Sequence, residues 1–289
     1  MKIVLFGSHA ALAWVHTFLL GAAFEAEVGP EILAIRETPT PELLSSLLAA
    51  PVEVFILADH RSALGLSSGD ALLPADSVRE AANRAVFALE LARHSSRTLE
   101  LKAEDSDLWA AMLATVAPTP RAETNVEPYH GTPETSMVDT LLSPYLVALY
   151  NAIEKSELLC VTWPRESFLD GDAPGAMLPA TVEVAGRSRI LAYGPYLPLP
   201  TGKWRVVVLL GFSADIGRLP FMIEVDTGAS IERGFFEVNA GGIFTLAMEF
   251  RVTEVMHPIE MRLISQDSAL EGQVALIEAK FFDCSQASG

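Results

Sequence analysis

A chain of 289 residues, half of them hydrophobic and a fifth charged, is long enough for two domains with cores of their own. Its formal net charge is −17, with ten basic against twenty-one acidic residues over 1–160 and ten against sixteen from 161 onward. Both halves are acidic, which speaks against nucleic acid and against an anionic membrane surface as partners.

A neutral or weakly charged partner fits this balance better. The two cysteines, Cys160 and Cys284, flank the second half of the chain. They make neither a disulfide framework nor a metal set, and two independent thiols in a reducing compartment is the simpler reading, although a bridge between them stays open. The apolar run from Met1 to Ala23 is interrupted by Gly7-Ser8-His9, so its start reads as a buried strand rather than a signal peptide. Neither a targeting signal nor a membrane-inserted helix is expected. The expected location is the cytoplasm, with release by a non-classical route or association with a particle as the alternatives.

Strand and helix alternate through the first half. Lys2–Phe6 is a short apolar strand, residues 10–24 favour helix, and Ile32–Ile35 is a second strand. Thr40-Pro41-Glu42 opens a helix, with a capping threonine, proline in the first turn and an acid where the helix dipole favours it. Val52–Leu57 is a third strand, residues 76–94 a long amphipathic helix and residues 105–116 another. This order predicts an open α/β sheet. A loop rich in Pro, Thr and Glu follows at 117–136, then a helix at 137–154.

From there the hydrophobic period changes from 3.6 to 2. Strands are expected at Thr181–Val184, Ile190–Tyr193, Trp204–Leu210, Phe221–Val225, Glu232–Val238, Phe244–Val252, Ile259–Ile264 and Val274–Phe282, separated by Gly-, Asn- and Pro-containing turns. That pattern predicts two packed antiparallel sheets. The fold class is therefore α/β plus all-β, with domains at 1–155 and 156–289.

The segment Tyr193-Gly194-Pro195-Tyr196-Leu197-Pro198-Leu199-Pro200-Thr201-Gly202-Lys203-Trp204-Arg205-Val206 resembles a segment of bacterial jelly-roll modules attached to glycan-handling proteins. Asn239-Ala240-Gly241-Gly242 and Ile259-Glu260-Met261-Arg262-Leu263 are similar to later pieces of the same modules. The resemblance implies a jelly-roll β-sandwich that binds a polysaccharide or oligosaccharide. Sugars are held by flat aromatic faces against C–H surfaces and by a few polar groups on the hydroxyls. Tyr193, Tyr196, Trp204 and the upstream Trp163 are the candidate carbohydrate-binding residues, each with core or strand-pair packing as its alternative. The Asp170/Asp172 pair offers oxygens for a calcium loop, but two acids alone read as a solvated turn. No metal site and no cofactor are expected.

The first half carries a second constellation. Ser8 follows the first strand, and Glu127-Pro128-Tyr129-His130 precedes the helix at 137–154. This resembles SGNH/GDSL-type esterases and related polysaccharide-modifying proteins, which implies a flavodoxin-like three-layer domain. On that resemblance Ser8 is the nucleophile, His130 its base and Glu127 the acid that orients the base. The chain departs from the pattern at Ala58-Asp59-His60, where the oxyanion-hole asparagine is missing. A helix cap for Ser8 and an exposed loop for His130 are the plain alternatives. The single Gly7 after the first strand excludes a dinucleotide fingerprint.

The expected function is recognition of a bacterial surface polysaccharide, capsule or exopolysaccharide. A serine esterase or acyltransferase acting on such a polymer is one alternative. A glycan-binding spike or fibre subunit of a homo-oligomeric assembly is another.

Overall fold

The computed structural model describes residues 2–7, 31–35, 40–58, 75–101, 145, 146, 148, 149, 152 and 159–285. The chain divides into two compact units, Met1–Asp139 and Thr140–Gly289.

In the first unit, β1 (Lys2–Gly7), β2 (Glu31–Ile35), β3 (Val52–Ala58) and β4 (Ser95–Leu101) form a parallel sheet in the order β2-β1-β3-β4. Among the described residues, two helices lie between them in sequence, α1 (Pro41–Leu48) and α2 (Ala75–His94). The β1 residues Ile3 and Val4 are fully buried, and β1 is paired with a parallel strand on each side, as its continuous apolar run implies. Thr40 caps α1 as expected, its hydroxyl accepting from the Leu43 N–H at 3.2 Å. Leu44 and Leu47 form the buried face of α1, and the Lys2 ammonium donates to the Leu47 carbonyl. Strand β4 was not expected. It follows α2 without a loop, and its Ser-Ser-Arg-Thr start has none of the continuous apolar character that marks a central strand. The sheet seen here is α/β and parallel. The finer flavodoxin-like, three-layer assignment reaches into residues outside the described set, as do the helices expected at 10–24 and 105–116.

The second unit is an antiparallel β-sandwich. Its strands are β5 (Cys160–Pro164), β6 (Leu169–Asp170), β7 (Val182–Glu183), β8 (Arg189–Pro198), β9 (Gly202–Phe212), β10 (Leu219–Asp226), β11 (Ile231–Val238), β12 (Gly242–Val252), β13 (Pro258–Ser265) and β14 (Gln273–Asp283). The front sheet runs β11-β10-β13-β8-β6, and the back sheet runs β12-β9-β14-β5 with β7 on β14. From β8 to β14 the chain changes sheet at every step except the β10–β11 hairpin. This is jelly-roll winding. All eight expected strands are present; seven are longer than expected, β8 by six residues, and β7 is two residues shorter. Strands β5 and β6 are additional.

Alternation builds the core. Along β9, Trp204, Val206, Val208 and Leu210 point inward, and Phe221, Ile223 and Val225 of β10 meet them from the front sheet. Each such side chain contributes roughly 1.5–3 kcal/mol when fully removed from water. Residues 145–152, which the sequence pattern joins to the first domain, fall in the second unit. Tyr145, Leu146 and Leu149 are buried there, and the Tyr145 hydroxyl donates to the Pro198 carbonyl at the end of β8. Burial pushes that hydroxyl well above its ordinary pKa. Both cysteines are free thiols.

Candidate functional site

The segment 193–206 does locally what its motif implies. Strand β8 continues through Gly-Pro-Tyr to Pro198 in the front sheet, and β9 starts at Gly202 in the back sheet. Gly194 has φ +115° and Gly202 φ +144°, a region that side-chain-bearing residues rarely enter. A Cβ on Gly202 would also stand 2.1 Å from the Ser285 hydroxyl oxygen. Between them the register slips. Ile259 pairs with Leu197 and Glu260 with Pro195, which leaves Tyr196 as an extra residue at φ +64°. Bulges of this kind re-aim a side chain.

The bulge places Tyr196 beside Tyr193 on the outer face of the front sheet. Both rings are half-buried, with centroids 6.2 Å apart and planes at 72°. The Tyr193 hydroxyl accepts from the Gly175 N–H, and the Tyr196 hydroxyl donates to Glu260 Oε1 at 2.9 Å. Burial first, then the Glu260 hydrogen bond and charge, pushes the Tyr196 hydroxyl up to about 12.

From this pair an ion chain crosses the sheet. Tyr193 of β8, Arg262 of β13, Glu224 of β10 and Arg233 of β11 are successive cross-strand partners. Arg262 donates to Glu224 Oε1 at 2.6 Å and to both oxygens of Glu260, and Arg233 donates to Glu224 Oε2 at 2.8 Å. Asp226 stands 3.8 Å from Arg262. The Glu224 side chain is only 7% exposed, and each of its carboxylate oxygens is bonded by one of the two guanidinium groups. The Glu260 hydrogen bonds, with those to Glu224, hold Arg262 above its ordinary pKa. Two cations and three carboxylates therefore form a preorganised, nearly neutral polar surface beside two aromatic rings.

Trp163 and Trp204 belong elsewhere. Both are fully buried between the sheets and present no face to a ligand, which corrects the expectation for these two. The Trp204 indole N–H donates to the Pro200 carbonyl at 2.8 Å and fastens the turn into β9. Trp163 packs on Phe281 with centroids 3.9 Å apart, and its indole N–H has no partner among the described residues. They point inward because they occupy the inward parity of β9 and β5. The Asp170/Asp172 pair is also structural. Asp172 takes a forked pair of hydrogen bonds from Arg189, and Asp170 accepts from the Asp172 N–H to close the turn. Ser8, Glu127 and His130 lie outside the described residues.

Glu260, Arg262, Glu224 and Arg233 were not among the expected site residues. The signal for Glu260, Arg262 and Glu224 was present in Ile-Glu-Met-Arg-Leu and Ile-Glu-Val-Asp, where charges alternate with core residues on adjacent strands. Only the register shows that these charges face one another.

No family model matches this chain, and no curated protein does. Several solved structures are similar to part of it. The xylan-binding module CBM15 shares 12% identity, with 45% of this chain and 99% of that one aligned at a TM-score of 0.32. A family 61 carbohydrate-binding module in complex with β-1,4-galactotriose shares 13%, over 43% and 88% of the two chains, at 0.28. A family two carbohydrate esterase from Cellvibrio japonicus shares 10%, over 44% and 34%, at 0.29. The fold of the second unit rests on its own strand pairing.

Proposed function

We propose that the sandwich binds a glycan on the outer face of its front sheet, at Tyr193 and Tyr196 and along the Glu260–Arg262–Glu224–Arg233 chain. One observation carries the reading. Two half-exposed tyrosine rings stand edge to face beside a fixed set of charged donors and acceptors. A pyranose is amphipathic in the same way, with C–H faces for the rings and hydroxyl edges for the ions. The carboxylates keep spare lone pairs after their internal bonds, so hydroxyls find acceptors without breaking the network. The resemblance of 193–206 to glycan-associated modules points to a bacterial surface polysaccharide, capsule or exopolysaccharide. The net charge of the chain favours one with few acidic groups. A glycan array followed by titration with purified polysaccharide fragments tests this. Saturable binding is expected, and no binding to any glycan contradicts it.

One observation favours a second reading for the first unit. Strand β1 lies inside a parallel sheet, and its last residue Gly7 pairs with Ala58 at the end of β3. In open α/β sheets, ligands bind beyond the carboxyl ends of such strands, where strand order reverses. Ser8 follows Gly7 in the chain. On this reading the first unit is a serine esterase or acyltransferase acting on the polymer the sandwich holds, with His130 as base and Glu127 as its orienting acid.

A further inference from the structure

An apolar row lies beside the ion chain on the same sheet face. Ile190 of β8, Ile264 of β13, Met222 of β10 and Phe235 of β11 are successive cross-strand partners. On β13, β10 and β11 each stands two residues from its counterpart in the ion chain, so both rows face outward, about 7 Å apart along the strands. Phe235 is 68% exposed and Ile190 38%, while Ile264 and Met222 are half-buried. The neighbouring Phe236 explains nothing about Phe235. It points the other way and stacks on Phe221 with centroids 5.6 Å apart, so packing on β11 is already supplied by its inward residue. From β8 to β11 there are three strand gaps, a span of about 14 Å. A single pyranose ring is much shorter than that.

We infer that the two rows form one elongated strip running across the strands, from the tyrosine pair on β8 to Phe235 on β11, and that it takes an uncharged oligosaccharide of several residues. The inference rests on the proposed glycan reading and extends it to the length and charge of the ligand. C–H faces of the sugar rings lie over Ile264, Met222 and Phe235. Hydroxyl edges lie over Arg262, Glu224 and Arg233. Phe235 is the far contact, so it matters only to ligands long enough to reach it. The ions sum to one net negative charge, two cations against three carboxylates, and Glu224 and Glu260 are already neutralised by arginine. A uronate would add an unpaired acid beside them.

The test is calorimetric titration with disaccharide, trisaccharide and hexasaccharide of the neutral polymer that scores highest on a glycan array, and with a polyuronate fragment of equal length. Wild type is expected to bind the hexasaccharide more tightly than the disaccharide, and either more tightly than the uronate. Phe235→Ala is expected to lose about three- to tenfold affinity for the hexasaccharide, the range of one aromatic contact, and nothing for the disaccharide. Tyr193→Ala with Tyr196→Ala is expected to abolish binding of both. Phe235 is exposed enough that its replacement leaves the fold intact, which thermal unfolding of the variant checks. Unchanged hexasaccharide affinity in Phe235→Ala, with the tyrosine pair still required, overturns the strip and leaves the glycan reading standing. Preference for the uronate overturns the charge assignment. A wild-type dimer that Phe235→Asp dissolves, with glycan affinity unaltered, gives this face to a second copy and overturns the strip. Binding to no glycan overturns both the strip and the reading beneath it.

Discussion

Removing Arg262 tests whether the ion chain is a preorganised unit or a set of independent surface charges. Arg262 is 25% exposed and faces Glu224 and Glu260, whose side chains are 7% and 14% exposed. In Arg262→Ala three carboxylates are left with Arg233 alone. Breaking a buried pair costs about 3–5 kcal/mol, and breaking an exposed one about 0–1 kcal/mol. Here Glu224 keeps its bond from Arg233, and Glu260 keeps the Tyr196 hydroxyl. The expected loss is therefore intermediate, about 2–3 kcal/mol. For a unit of roughly 150 residues that is a fall in Tm of about 5–10 °C. The assay is thermal unfolding followed by tryptophan fluorescence in a Trp14→Phe, Trp109→Phe background, so that only Trp163 and Trp204 of the sandwich report. Arg262→Lys keeps the charge but loses the fork, and is expected to fall between wild type and Ala. Arg262→Met with Glu224→Gln removes both charges and is expected to recover at least half of the loss. A fall under about 1 kcal/mol in Arg262→Ala, or a double variant no more stable than the single, would refute the reasoning.

The two buried tryptophans are expected to respond differently to the same change. Trp204→Phe strands the Pro200 carbonyl and is expected to cost about 2–3 kcal/mol, whereas Trp163→Phe removes an N–H without a partner among the described residues and is expected to cost about 1–2 kcal/mol, both read by chemical denaturation. Tyr196 gives a pH signature. Its folded pKa of about 12 lies above the ordinary value of 10, so the neutral phenol is favoured by folding. Its contribution is present in full below pH 10 and is lost as pH rises towards 12, and Tyr196→Phe is expected to remove that phase from an ultraviolet phenolate titration. Phenolate formation at an ordinary pKa throughout the protein contradicts the Tyr196–Glu260 bond. For the second reading of the first unit, Ser8→Ala and His130→Ala are each expected to abolish hydrolysis of a chromogenic acetyl ester. Equal turnover in wild type and variants, or none in either, sinks the esterase.

What the sequence made legible was whatever period and turn chemistry control. The inward parity of Val206, Val208 and Leu210 places β9, and Asp226-Thr227-Gly228 closes the β10–β11 hairpin with Asp226 accepting from the Gly228 N–H. The two added strands of the sandwich were hidden for physical reasons. Cys160–Pro164 is too short to show a period and ends in proline, and Leu169–Asp170 is set by its partner Tyr193 rather than by its own residues. In the site, spacing found the tyrosines but also gathered Trp204 and Trp163. Nearness in sequence does not record which face of a strand a residue occupies, and both indoles fell on the core side. The missed residues had the opposite problem. Glu224, Arg233 and Arg262 are scattered over 38 positions, and only the strand register brings them into line. Tyr196 was found for its ring. The bulge that turns it outward depends on pairing with β13, and no local residue shows that.

The glycan-binding face itself is tested most directly by titrating wild type and the Tyr193→Ala, Tyr196→Ala double variant with the polysaccharide fragment that wild type binds best on an array. The account predicts saturable binding by wild type and none measurable by the variant, with Trp163 and Trp204 fluorescence, read for both in the Trp14→Phe, Trp109→Phe background, reporting the same folded sandwich. Binding of equal strength by a correctly folded variant would place the site off this face.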